Sequence, residues 1–202
     1  MNTHTPRLIL GALACLMTLG SFTADASALD GYQDRKGLFV GVGLGGGVSL
    51  VEADPEGDVT GIDQGRKVGM HLHGILGGGA SDNLVFGAEG NLWARTVYIE
   101  GQEDRTLEHY HMSFGGVLDY FLFENFYVEG GVGLAYGIFD VERNQDTEFL
   151  YQELGLSAKF GGGFEFFVDS NIALGMRANY TRHFYSNSSF DTLSAGITLR
   201  WY

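Results

Sequence analysis

Cysteine is almost missing from this sequence, and the one present, Cys15, lies in a segment expected to be removed. Residues 1–28 have the layout of an export signal. Arg7 gives a positive start, the run Leu8 to Gly20 is apolar but too short to span a bilayer, and Ala26-Ser27-Ala28 supplies an A-x-A cleavage site. A mature chain starting at Leu29 has no thiol, which excludes disulfides, thiolate metal sites and a cysteine nucleophile. Proline is scarce too, with 2 against 32 glycines. Beyond the leader no apolar run reaches roughly 18 residues, so no transmembrane helix is expected. Helix-period stripes and heptads are also lacking. The last shortage is positive charge: 12 Lys and Arg face 25 Asp and Glu, and a formal net charge of −13 repels nucleic acid.

What is plentiful is alternation. In "GLFVGVGLGGGVSL", Gly37 to Leu50, the apolar residues Leu38, Val40, Val42, Leu44, Val48 and Leu50 take even positions, and Gly41, Gly43, Gly45, Gly47 and Ser49 take odd ones. Gly41-x-Gly43-x-x-Gly46 matches a dinucleotide-binding fingerprint, but that motif turns from a strand into a helix, with an acid about 20 residues on. Here the alternation continues through Val51 and "EADPEGD" follows, so the stretch reads as a glycine-rich strand with no nucleotide site. Seven further segments alternate in the same way: 67–80, 84–98, 107–120, 126–139, 150–166, 172–183 and 191–202. All are longer than the roughly five or six residues of soluble strands, and they suit a bilayer crossing.

Three tight connections, Ser81-Asp82-Asn83, Phe123-Glu124-Asn125 and Asp169-Ser170-Asn171, each end in Asn before an apolar residue, at spacings of 42 and 46. This is a hairpin repeat of one short and one long turn. The polar face consists mostly of Gly, Ser, His and a few charges, too small and sparse for a wetted exterior. The apolar face is therefore read as facing lipid, with the small and ionic side chains filling a narrow interior. A membrane forbids open sheet edges, so the strands must close. The expected fold is all-β: an eight-stranded antiparallel up-and-down transmembrane β-barrel over residues 37–202, preceded by a short periplasmic N-terminal segment, 29–36.

On "GLFVGVGLGGG", "NFYVEGGVGLAYG" and the aromatic ending "AGITLRWY", the chain resembles the small outer-membrane β-barrels of the OmpA/OmpX-like kind, which include opacity-type surface proteins. The resemblance covers residues 37–202. It implies a place in the cell outer membrane, contact with outer-membrane lipids and lipopolysaccharide, and insertion by the outer-membrane assembly machinery, which reads an aromatic C-terminal signal. Trp201 is in the lipid-facing phase of that signal, and Tyr202 is one residue extra. By the same family rule the long connections are extracellular.

Those connections are acidic. Residues 52–63, 100–108 and 140–148 together hold thirteen acids against two arginines, which leaves −11 of the net charge there. They suit divalent cations or basic partners. Inward parity falls on Glu89, Arg95, Asp119, Glu129, Lys159, Glu165, Arg177 and Arg200, charges of both signs that should pair in a narrow lumen and plug it. A narrow channel is the alternative. His71 with His73, and His109 with His111, also point inward, either as lumen hydrogen-bonders or as a zinc or copper site. "RHFYSNSSFD" is similar to the His-x-Ser-Asn motif of lipid A deacylase barrels, which implies an alternative with His183 as base, Ser186 as nucleophile and Asp191 as orienting carboxylate. The spacing is one residue longer here and turns Ser186 to the opposite face. The preferred reading is a non-enzymatic surface barrel without a cofactor, serving envelope structure or surface interaction.

Overall fold

Eight strands follow one another in the computed structural model: β1 (Gly37–Ala53), β2 (Gly65–Ser81), β3 (Leu84–Ile99), β4 (Gln102–Phe121), β5 (Phe126–Arg143), β6 (Asp146–Phe167), β7 (Ile172–Phe184) and β8 (Ser188–Trp201). Each pairs antiparallel with the next. β8 returns to β1, from Val40 opposite Trp201 to Ala53 opposite Ser188, so the sheet closes and leaves no free edge. The structure describes residues 35–53, 65–99, 102–143, 146–186 and 188–202. The expected export signal and its cleavage site, most of the segment 29–36 and most of the acidic segment 52–63 lie outside them.

Alternation sorts the side chains between two environments. Along β7, Ala173, Gly175, Arg177, Asn179, Thr181 and His183 are buried, while Leu174, Met176, Ala178, Tyr180 and Phe184 are exposed. A slip of one residue would send Arg177 into the wall's exterior and Met176 into its lumen, so the register is strongly specified. The exterior is apolar around the whole circumference, with Leu38 82%, Val132 71% and Phe160 67% exposed. Such a surface matches hydrocarbon, not water. Phe86, Tyr120, Phe126, Phe164 and Trp201 ring the short-turn end on this outer face.

The first glycines of the fingerprint make room for lumen side chains. A Cβ on Gly43 would lie 2.1 Å from His73 Cε1, and one on Gly41 would lie 2.8 Å from Ile75 Cγ2. β1 runs on to Ala53 with no helix after Gly46, which removes the dinucleotide reading.

The strands depart from expectation at the long-loop end. β4 begins at Gln102 instead of Leu107, β5 runs to Arg143 instead of Phe139, and β6 begins at Asp146 instead of Leu150. Two acidic segments read as loops are thus largely strand, with Ile99 opposite Gln102 and Arg143 opposite Asp146. Once a hairpin ladder is formed, it satisfies backbone N–H and C=O groups whatever the side chains are, so loss of the apolar period does not end a strand.

Candidate functional site

The lumen is filled in three layers. At the short-turn end Phe39, Ile75, Val85, Val117, Phe121 and Tyr127 pack into an apolar cluster. Ion pairs lie against it. Arg200 donates to Asp119 Oδ2 at 2.6 Å and lies 3.3 Å from Glu165 Oε2. Arg35, two residues ahead of β1 in the segment expected to be periplasmic, enters this mouth. Its Nε donates to Glu165 Oε1 at 2.8 Å, its Nη2 donates to the Glu124 carbonyl at 2.6 Å, and its guanidinium lies 3.8 Å above the centre of the Phe121 ring. Tyr202 folds inward past the outward Trp201, between Phe39 and Phe167, with ring centres 5.3 and 5.5 Å away.

Half-way up the bore, two acids and two bases cross from four different strands. Arg177 Nη2 reaches Glu89 Oε1 and Glu129 Oε1, each at 2.7 Å. Lys159 Nζ bonds to Glu89 and lies 3.1 Å from Glu129 Oε1. All four side chains are buried, and their formal charges cancel. In a low-dielectric bore this mutual neutralisation is the condition for keeping any of them ionised. Beside them a cavity lined by Glu89, Asn91, Ser113, Ser157 and Lys159 leaves about 20 Å³ for the centre of a water molecule, and a second, by His71, His73, Arg177, Asn179 and Ser194, about 10 Å³. Each has room for about one water.

The third layer, toward the long-loop end, is aromatic. His111 stacks on Phe190 with ring centres 3.4 Å apart, Trp93 meets Phe190 edge-on at 5.2 Å, and Tyr185 Oη is 3.1 Å from His111 Nδ1. His71 and His73 stack on each other at 5.8 Å. His109 is buried on β4, and Arg95 on β3 stands opposite it in register. The two histidine pairs do not meet, because the register sets Trp93 between His71 and His111. Among the described residues no group of three or more His, Cys, Asp or Glu side chains is arranged to hold a metal ion.

His183, Ser186 and Asp191 are also kept apart. His183 is buried in the lumen, with Nδ1 3.3 Å from the Phe190 carbonyl. Asp191 stands opposite Arg182 on the outer face and accepts the Tyr180 hydroxyl at 2.7 Å. Ser186 is exposed, and its N–H donates to the Glu153 carboxylate. The wall of the barrel divides base from carboxylate, because they sit on adjacent strands with opposite parity. In this arrangement the three side chains do not converge on one site.

Parity on the sequence finds the charged lumen residues but misses Phe39, Phe121, Tyr127 and Phe190. The signal for these was their phase, opposite to that of their lipid-facing neighbours.

A closed barrel with hydrocarbon-compatible walls and a bore packed by ion pairs defines a class: the small barrels of bacterial outer membranes. Residues 12–201 match the family described as the outer membrane protein beta-barrel domain, and the chain belongs to that family. It is therefore an outer-membrane protein. No curated protein matches the chain in sequence. Among solved structures it is similar to Ail, the attachment invasion locus protein of Yersinia pestis, with 14% identity and a TM-score of 0.55 over 81% of this chain and 98% of that one. The same protein in complex with the heparin analogue sucrose octasulfate gives 15% and 0.57 over 81% and 99%. Neisserial surface protein A gives 16% and 0.53 over 81% and 98%. At these identities the likeness is one of fold.

Proposed function

We propose that this chain is a closed, non-catalytic surface barrel that contributes to envelope structure and meets divalent cations or basic partners through its acidic extracellular end. The observation that carries this reading is the middle of the lumen, where Glu89, Glu129, Lys159 and Arg177 lock across the bore. The gaps beside them admit about one water each, too little for a hydrated ion to pass. The separation of His183 from Asp191 speaks against lipid A chemistry at that end. Ail has been seen with a sulfated heparin analogue, but the acidic segments here carry −11 of charge, so those segments themselves favour cationic partners. Export follows from removal of residues 1–28, leaving Leu29 first, and assembly from recognition of the C-terminal aromatics by the insertion machinery.

The test is conductance of the refolded protein in planar bilayers. Silent membranes that contain folded protein support the reading, and regular single-channel steps overturn it. The mass of the outer-membrane form checks the Leu29 start.

A further inference from the structure

Among the described residues, cations are rare on the outer wall. On the outward face near the long-loop end, those whose side chains are described are Arg66 on β2 and Arg182 on β7. The register sets Arg182, Asp191, Leu50 and Arg66 in one row across β7, β8, β1 and β2. At about 4.8 Å per strand the row spans roughly 14 Å. Arg182 lies 3.6 Å from Asp191 Oδ2, donates to Ser189 Oγ at 3.4 Å and sits 5.5 Å from the centre of the Phe184 ring. Its side chain stays 39% exposed. Elsewhere at this level, on the outward face, the Tyr110 hydroxyl donates to Glu108 and the Tyr136 hydroxyl to Gln152.

Height supplies the second argument. Asp191 lies ten positions before Trp201 on β8, and the outward residues between them are Leu199, Ile197, Ala195 and Leu193. At about 3.3 Å per residue and a tilt of about 40°, that is roughly 25 Å, the height of an apolar band. The Arg182 cluster therefore stands where hydrocarbon gives way to headgroups.

We infer that this row is a docking face for the phosphate-bearing headgroup of an outer-leaflet glycolipid, with the Arg182 guanidinium on the phosphate and Arg66 supporting it. The inference rests on the outer-membrane reading above. A guanidinium offers a planar fork that fits phosphate oxygens, and partial burial at the interface weakens solvent screening. Asp191 holds Arg182 against the wall and competes with the phosphate for it.

The test is native mass spectrometry of the refolded barrel in detergent with bisphosphorylated lipid A and excess EDTA. One lipid is expected to be retained, and Arg182→Gln should cut the retained fraction about tenfold, as loss of a charge-assisted bond does. Arg66→Gln should give a smaller drop. Asp191→Asn should raise retention, an outcome that a purely structural role for the cluster does not give. Fully dephosphorylated lipid A should not be retained. Equal retention by wild type and Arg182→Gln, loss of retention in Asp191→Asn, or equal binding of the dephosphorylated lipid overturns the site. Heat-modifiable gel mobility checks that each variant is folded. A folded, ion-impermeable barrel with unchanged retention refutes this face alone and leaves the preceding reading standing.

Discussion

Arg35 and Tyr202, which lie just outside the two ends of the barrel sequence, donate to one and the same oxygen, Oε1 of Glu165, each at 2.8 Å. Glu165 comes from β6, two strands round the wall from β8, so a single buried carboxylate ties the residues flanking both ends of the barrel together at the mouth. Glu165→Gln removes the carboxylate that Arg35 reaches among the described residues, and one of the two that serve Arg200. Breaking a buried pair from one side costs on the order of 3 kcal/mol. Urea unfolding in lipid vesicles, followed by tryptophan emission, should show that loss. Arg35→Met with Glu165→Gln should cost less than the sum of the single changes, by about 1 kcal/mol or more. Additive costs would mean that the junction is not one unit.

The mid-lumen quartet makes a sharper demand, because its charges balance. Glu89→Gln leaves Lys159 and Arg177 facing Glu129 alone, with one uncompensated positive charge in the bore. Glu89→Gln with Lys159→Met restores neutrality and replaces an ammonium by an apolar chain of similar length. The single change should lower the urea midpoint strongly, and the double change should recover most of the loss. If the double variant is less stable than the single one, neutrality is not what holds the bore.

Much of this was legible in the sequence, for physical reasons. Alternation has only two phases, so placing Leu174 and Met176 outside forces Arg177 inside. The Asn that ends each tight turn, at Asn83, Asn125 and Asn171, marked the hairpins. What parity does not reveal is height. Glu89, Glu129 and Arg177 come from β3, β5 and β7, and they meet only because of the stagger of a closed barrel. The inward aromatics carry no charge or imidazole that would mark them as lumen residues by type. Their trace lies on neighbouring strands: a Cβ on Gly77 would come within 2.6 Å of Phe39 Cε1, and one on Gly163 within 2.5 Å of Tyr127 Oη. Strand ends at the long-loop end were illegible because the backbone ladder, not side-chain period, carries them onward.

The glycines supply a matched pair of outcomes. A Cβ on Gly43 would meet His73 Cε1 at 2.1 Å and the Ile197 carbonyl oxygen at 2.7 Å, and the carbonyl belongs to the wall itself and cannot swing aside. Gly116, on the outer face, has nothing within 4 Å of its added Cβ. Gly43→Ala should therefore destabilise by about 1–3 kcal/mol through overpacking, while Gly116→Ala should be close to neutral. The temperature at which the compact gel form is lost, measured for both in one detergent, checks the contrast. Equal shifts would mean that the lumen yields more easily than its packing implies.

His183 and Ser186 separate a structural from a catalytic role at the long-loop end. The His183 ring is buried between Tyr185, stacked parallel at 6.2 Å, and Phe190, tilted at 5.7 Å, so His183→Ala leaves a cavity beneath the aromatic layer. A loss of about 1–3 kcal/mol is expected, as for other large-to-small changes in packed interiors. Ser186 is exposed and bonds through its backbone N–H, which Ser186→Ala retains, so its stability should stay within about 0.5 kcal/mol of wild type. Neither change should alter the acyl pattern of lipid A in mass spectra of producing cells. A catalytic pair gives the opposite signature, with both substitutions changing the lipid pattern and Ser186→Ala doing so at full stability. That second signature would require His183 to leave its place against the Phe190 carbonyl and reach the outer surface, against the burial that holds it in the bore.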